Sequence, residues 1–171
     1  MKPGNWFKKT GRYLKYRLGK LSPELKEKIE VLNSVELFEF CRGIDLVEIA
    51  TECKFKKSEP DEVIIEAGET GNGLYMVDTG KYSVIIGESD EEVAEFGAGD
   101  YFGEMSLIDN KERSANVICK ETGRLLFFSK EGFVGLLRKQ SQASFRFLFV
   151  QARTLSQRLR ETNRKLSEKT G

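Results

Sequence analysis

Between residues 63 and 128 the apolar residues fall into six short runs separated by turn signals. The runs are Val63-Ile64-Ile65, Leu74-Tyr75-Met76-Val77, Tyr82-Ser83-Val84-Ile85-Ile86, Val93-Ala94-Glu95-Phe96, Asn116-Val117-Ile118-Cys119 and Arg124-Leu125-Leu126-Phe127-Phe128. Between them lie Gly71-Asn72-Gly73, Asp78-Thr79-Gly80, Gly87-Glu88-Ser89-Asp90, Gly97-Ala98-Gly99-Asp100 and Thr122-Gly123. Runs this short do not make helices, and their spacing predicts an antiparallel sandwich, roll or barrel. Helices do not alternate with the strands, so a parallel doubly wound sheet is excluded. Gly68, Gly80 and Gly97 are expected to supply positive φ in the turns.

Helical patterns flank this region. Ser22 is placed to cap a helix, with Pro23 in its first turn and Leu25, Ile29 and Leu32 on one face. A second helix is expected over 45–53, with Asp45 as its cap and Leu46, Ile49 and Ala50 inward. Beyond the strands Ser129 caps a helix that turns Phe133, Leu136 and Leu137 inward. A long helix over about 142–166 comes next. In it Phe145, Leu148, Ala152, Leu155, Leu159, Thr162 and Leu166 recur at alternating spacings of three and four. Such a seam fits a helix laid along its own roll or a parallel coiled coil with a second copy. Its length and flanking Arg and Glu favour the homodimer. The chain thus divides into a basic aromatic segment (1–21), N-terminal helices (22–53), a β core (54–128) and C-terminal helices (129–171).

Charge and composition remove several classes. Residues 1–20 carry seven Lys or Arg and no acid, whereas 58–105 carries thirteen acids and one base, Lys81. So acidic a body repels a polyanion, and general nucleic-acid binding by it is not expected. The basic segment reads either as a helix for a membrane surface or partner, or as a tail packing its aromatic residues on its own domain; the second reading is the stronger. Histidine is absent, which removes His-based triads, Cys–His pairs and His-ligated zinc. The three cysteines have neither disulfide nor metal spacing and point to a reducing cytoplasm. No metal cofactor and no enzymatic activity are expected.

The stretch from Gly99 to Ala115 holds a glycine turn, the carboxylate of Glu104, a short apolar turn and the guanidinium of Arg113. A fixed carboxylate accepts from a sugar hydroxyl, and a guanidinium grips an anion through parallel donors. Glu104 and Arg113 could instead pair with each other on the surface, at small energetic gain. Their apolar flanks, Phe102 before and Met105, Leu107 and Ile108 after, favour a half-buried setting in which each charge needs a partner.

Phe102-Gly103-Glu104-Met105-Ser106-Leu107, followed by Arg113-Ser114-Ala115, resembles the phosphate-binding cassette of cyclic nucleotide-binding domains, in the manner of the bacterial catabolite activator. Glu62–Glu69, Leu74–Val77 and Gly80 resemble the first half of that domain's roll, so the likeness covers about 40–165. The resemblance implies a mainly β fold, an eight-stranded antiparallel β-roll, jelly-roll-like, with N-terminal helices and a long C-terminal helix. It implies that Glu104 holds the ribose 2′-hydroxyl and Arg113 the cyclic phosphate. Gly103 and the backbone near Ser106, Ser114 and Ala115 complete the cradle. Ser114 after the arginine leans toward cAMP, with cGMP the other ligand to test. By the same resemblance Thr162 and Asn163 on the long helix are the candidates for base contact, with Arg158 as the neighbouring choice. The sequence stops at Gly171, so no DNA-binding helix-turn-helix is expected. The expected protein is a cytoplasmic cyclic nucleotide sensor that transmits binding through its C-terminal helix to a dimer or downstream protein. A nucleotide-independent scaffold or membrane-peripheral adaptor is the other reading.

Overall fold

The structure, a computed structural model, describes residues 21–86, 92–109 and 111–170. The expectations for residues 1–20 and for the turn at 87–90 lie outside them. Helix α1 (Pro23–Ser34), a 3-10 turn (Glu36–Phe38) and α2 (Gly43–Glu52) come first. Six strands follow: β1 (Cys53–Ser58), β2 (Val63–Ile65), β3 (Gly73–Ile85), β4 (Glu92–Phe96), β5 (Tyr101–Phe102) and β6 (Asn116–Ser129). A second 3-10 turn (Glu104–Leu107) lies between β5 and β6, and α3 (Lys130–Arg138) and α4 (Gln142–Thr170) come last. Among the described residues no helix is long and apolar enough to cross a membrane.

Two helix starts follow their caps. The Ser22 hydroxyl accepts from the Leu25 N–H at 3.2 Å, and the Ser129 hydroxyl from the Gly132 N–H at 3.0 Å. Asp45 does not cap α2. It is the third residue of that helix, and its carboxylate reaches back to the N–H of Arg42 at 2.5 Å, as the acidic member of a capping box does.

The strands form one antiparallel sheet in the order β1-β6-β3-β4, with β2 also on β6 and β5 also on β3. Six strands stand where the family resemblance implied eight, and the reason is local. The segments read as turns at Asp78-Thr79-Gly80 and Thr122-Gly123 are kinks inside two continuous strands. The β3–β6 register shifts between Val77 and Tyr82, and Gly80 takes the bend at φ 91°. Opposite it Gly123 leaves no room for a side chain: an added Cβ would lie 2.3 Å from the Thr79 carbonyl oxygen and 2.6 Å from the Tyr82 hydroxyl. Cut at those two kinks, β3 and β6 would bring the count to eight. Positive φ falls at Gly68, Gly80, Gly99 and Gly103, not at Gly97.

The Leu74–Val77 part of β3 and the Leu125–Phe128 part of β6 are largely buried on both faces, so those stretches read as solid apolar runs rather than alternating ones. Leu74, Met76, Leu126 and Phe128 pack outward against Leu32, Leu37, Ile49, Phe133 and Phe147 of the helices. Tyr75, Val77, Tyr82, Leu125 and Cys119 point into the roll with Phe102, Ile64 and Val117.

The expected seam of α4 is not the face that docks on the roll. Ala143, Ser144, Phe147, Val150 and Gln151 are buried. Of the seam residues, Leu148 packs against the core, while Phe145, Ala152, Leu155, Leu159, Thr162 and Leu166 are exposed. A helix lying on its own roll through that seam is therefore ruled out. The docking face lies opposite, at positions 143, 147, 150 and 154 of the same helix.

Two glycine substitutions test the kink. Gly123→Ala puts a methyl against backbone that cannot yield and is expected to cost about 1–3 kcal/mol in urea unfolding. Gly135→Ala sits inside α3, where an added Cβ meets nothing within 4 Å, and should add about 0.5–1 kcal/mol. Equal midpoints for the two variants would refute the packing described.

Candidate functional site

The site is built on the corner where β3 begins and β5 ends. Gly103 takes φ 79°, a left-handed turn that starts the 3-10 segment Glu104–Leu107 and directs the Glu104 carboxylate inward. Glu104 is 5% exposed and Arg113 is 8% exposed. The backbone of Arg113 is tied to the neighbouring loop, its N–H to the Glu69 carbonyl and its carbonyl to the Gly68 N–H, both at 2.9 Å.

The Arg113 guanidinium is held by neutral oxygens. Nη1 donates to the Gly103 carbonyl at 2.9 Å and to the Ser106 hydroxyl at 3.1 Å, and Nη2 donates to the Gly73 carbonyl at 2.9 Å. Its Nε–H is buried without a hydrogen-bond partner. Burial lowers the Arg113 pKa, against the upward pull of Tyr75, Glu69 and Glu104. The Ser106 hydroxyl turns back to the Gly103 or Gly73 carbonyl, at 2.9 and 3.1 Å. Two glycines make the room. A Cβ at Gly103 would stand 2.6 Å from Arg113 Nη1, and one at Gly71 would stand 2.3 Å from Ser106 Cβ and 3.1 Å from Arg113 Cζ.

Glu104 and Arg113 form no ion pair with each other. Glu104 Oε1 accepts instead from Arg158 Nη1 of α4 at 2.5 Å. Four residues earlier on the same helix, Thr154 neighbours Tyr101, whose hydroxyl pKa is raised chiefly by burial and then by Glu104. The C-terminal helix thus reaches the carboxylate of the site directly. The 3-10 turn is also tied to α3, because Lys130 Nζ donates to the Asp109 carbonyl at 2.8 Å.

The structure brings together Gly103, Glu104, Ser106 and Arg113 of the residues singled out in the sequence. Phe102 points elsewhere, into the roll, where it packs on Tyr75 and Phe96 at centroid distances of 5.5 and 5.4 Å. Met105 and Ile108 are about half exposed, so only Leu107 of that apolar turn enters the core. Ser114 is exposed beside Arg113, and Ala115 is half-buried. Thr162 and Asn163 are exposed on α4, and the Thr162 hydroxyl donates to the Arg158 carbonyl of its own helix at 2.9 Å. Sequence reasoning offered Arg158 for the base, whereas its partner here is the carboxylate. It missed Gly71, Gly73, Tyr101, Thr154 and Lys130. The glycines were visible only as turn residues, and the other three carry no local signal.

No group of three or more acidic, Cys or His side chains placed to hold a metal ion occurs among the described residues. Burial pushes the Cys41 thiol up to about 12 and raises that of Cys53, so neither is a ready nucleophile. The acidic groove lined by Glu27, Glu30, Asp78 and Arg124 shares no residue with the site. Its Arg124 is spent on Asp78 at 2.5 Å and Glu27 at 3.0 Å.

The model of the cyclic nucleotide-binding domain family matches residues 55–140, half of the chain. The cyclic AMP receptor protein of Thermus thermophilus is 34% identical over 106 residues, an alignment taking in 60% of this chain and 47% of that protein. The cAMP-dependent protein kinase type II regulatory subunit of Drosophila melanogaster is 32% identical over 113 residues, or 63% of this chain and 29% of that protein. The chain thus spans less than half the length of either relative. Among solved structures, a cyclic nucleotide-binding domain from Methylobacillus flagellatus superposes with a TM-score of 0.70 at 24% identity, covering 85% of this chain and 83% of that one, a likeness of fold.

The Arg158–Glu104 contact predicts coupling between α4 and the site. A double-mutant cycle of Glu104→Gln and Arg158→Gln, read by urea unfolding, should give an interaction of about 1 kcal/mol, modest because Arg158 is half exposed. Strict additivity would show that the helix is docked independently of the carboxylate.

Proposed function

The chain belongs to the cyclic nucleotide-binding domain family, and on that premise we propose that it is a non-enzymatic cyclic nucleotide sensor whose ligand is cAMP, with cGMP the competitor to test. Residues 54–128 form the binding core in this reading. The observation that carries it is the Arg113 guanidinium, buried among neutral oxygens with its Nε–H unpartnered. A buried cation with no carboxylate in contact calls for an anion, and the planar fork of arginine suits a phosphodiester.

The roles follow the family resemblance. Arg113 takes the cyclic phosphate, Glu104 accepts from the ribose 2′-hydroxyl, and Gly103, Ser106, Ser114 and Ala115 frame the phosphate. A sugar hydroxyl donating to Glu104 competes with Arg158 for the same lone pairs. Ligand capture is therefore linked to the position of α4, to the extent that affinity differs between the two helix positions. Thr162 and Asn163, one turn beyond Arg158, meet the base in the shifted state. The output is a changed α4 surface for a second copy or a downstream protein, or release of the basic segment 1–20 toward a partner or an anionic membrane surface. The three unpaired cysteines support a reducing, cytoplasmic setting.

A second reading, a nucleotide-independent scaffold or membrane-peripheral adaptor, draws on the fact that Glu104 and both Nη atoms of Arg113 already have partners within the protein. Thermal unfolding with each nucleotide separates the two. A ligand at 100 times its dissociation constant should add about 2.7 kcal/mol, and no shift with either would favour the scaffold. Arg113→Lys keeps the charge but loses the fork, and calorimetric titration should show about 2–5 kcal/mol of lost affinity; unchanged binding would remove Arg113 from the site.

The exposed stripe of α4 gives a separate expectation. Leu159 and Leu166 are 62% and 58% exposed, and a second copy is the proposed cover. Sedimentation of the full chain should show a dimer that Leu159→Asp dissociates; a wild-type monomer at tens of micromolar would refute it.

A further inference from the structure

The near half of α4 adjoins a second group of exposed apolar side chains, contributed by the N-terminal elements. Contacts between that region and α4 run antiparallel: Ser141 with Glu48, Arg146 with Asp45, the Phe149 ring with the Phe40 ring at 5.8 Å, and Arg153 with Glu39. Ile44 and Phe145 are the chain neighbours of the paired Asp45 and Arg146. Phe40, Ile44, Phe145 and Phe149 are 45, 50, 55 and 63% exposed, although Phe38 and Phe147, one step inward, are buried. Large exposed apolar side chains from α4, from α2 and from the turn before it thus border one another, and the Arg153 guanidinium lies over the Phe40 ring, 5.2 Å from its centroid. That is more than the scattered single exposures of an ordinary surface.

We propose that this face is the docking site of the chain's own basic aromatic segment, residues 1–20. Its place in the chain puts it in reach. The segment leads into Leu21, which packs against the helical core, and α1 packs on α2. Twenty extended residues span up to about 70 Å. Its composition matches as well. Trp6, Phe7, Tyr13, Leu14, Tyr16 and Leu18 alternate with seven Lys or Arg and no acid, whereas residues 21–53 carry eight acids and three bases. Apolar side chains meet an apolar face, and because Asp45 and Glu39 beside it are already paired with Arg146 and Arg153 while Glu48 accepts from Ser141, apolar burial carries the match. The tether supplies the remaining preference. A covalently linked segment is present at an effective concentration in the millimolar range, well above that of a second copy or free partner.

Trp6 is the only tryptophan in the chain, so indole fluorescence of the full-length protein reports on this segment alone. At low micromolar concentration its emission should be blue-shifted from that of the urea-unfolded chain, with acrylamide quenching several-fold weaker. Phe149→Asp and Phe40→Asp, both at exposed positions, should each return emission and quenching to the unfolded values while the urea unfolding transition of the domain is kept. Val93→Asp, an equally exposed apolar position on β4, should leave both unchanged. Emission already at the unfolded value in the full chain, or untouched by Phe149→Asp, overturns the proposal. A blue shift that vanishes on dilution together with a dimer in sedimentation assigns the face to a second copy and overturns it too. So does one that appears only with vesicles of anionic lipid.

Discussion

A guanidinium keeps its charge at every ordinary pH, and at Arg113 that charge has been taken out of water. Such a group is tolerable only where donors find acceptors and the geometry holds them still. The Gly73 and Gly103 carbonyls and the Ser106 hydroxyl meet that need, and much of the local sequence follows from placing them. Gly103 must be glycine to turn left-handed and to clear Nη1, and Gly71 must be glycine to clear Ser106 and the guanidinium. The kinks in β3 and β6 bend the sheet that carries both ends of the site. Neutral oxygens offset part of the cost of burying the cation, and the anion proposed for the site would offset more. The depressed pKa of Arg113, set first by burial, expresses the same imbalance.

Helix α4 shows how one sequence pattern can serve two surfaces. Its inner face, with Phe147 and Val150, buries against α2, α3 and the first 3-10 turn. Its outer stripe repeats at heptad spacing and, apart from Leu148, stays exposed. Polar clamps fix its azimuth: Arg146 to the buried Asp45, Arg153 to Glu39, and Arg158 to Glu104. An arginine at each of these positions lets a long stem cover apolar surface while its head finds a carboxylate. The two-faced character explains why the periodicity marked a seam correctly as apolar yet left open which surface it met.

The legible parts of the fold were those set by local chemistry. Ser22 and Ser129 cap as their sequences predict, and the cassette residues Gly103, Glu104, Ser106 and Arg113 converge. Less legible was whatever depends on tertiary context. Asp78-Thr79-Gly80 has turn composition, but with β6 alongside it becomes a bulge, because the opposite Gly123 lets two kinked backbones pass. Phe102 reads as part of a binding motif but belongs to the roll interior. Asp45 looked like a cap because nothing local reveals Arg146, a hundred residues away. Arg158 could be placed near the site but not assigned to the carboxylate, since three-residue and four-residue spacings put several side chains on the same helical quadrant.

These observations make α4 the one element shared by the site and by the apolar face near its start. Phe149 and Arg158 are nine residues apart, about 14 Å along a continuous helix, too short a span for one end to move without the other. In the proposed reading, a ligand that took Glu104 from Arg158 would loosen the distal clamp. The same displacement would shift Phe145 and Phe149 relative to Phe40 and Ile44, which ride on α2 and the turn before it. Linkage would then run both ways: whatever covered the face of Phe40 and Phe149 would bias α4 toward one position and so alter affinity at Arg113 by the same factor. The segment 1–20 would act in this sense as an internal effector, with its strength set by how differently it binds the two positions of the helix.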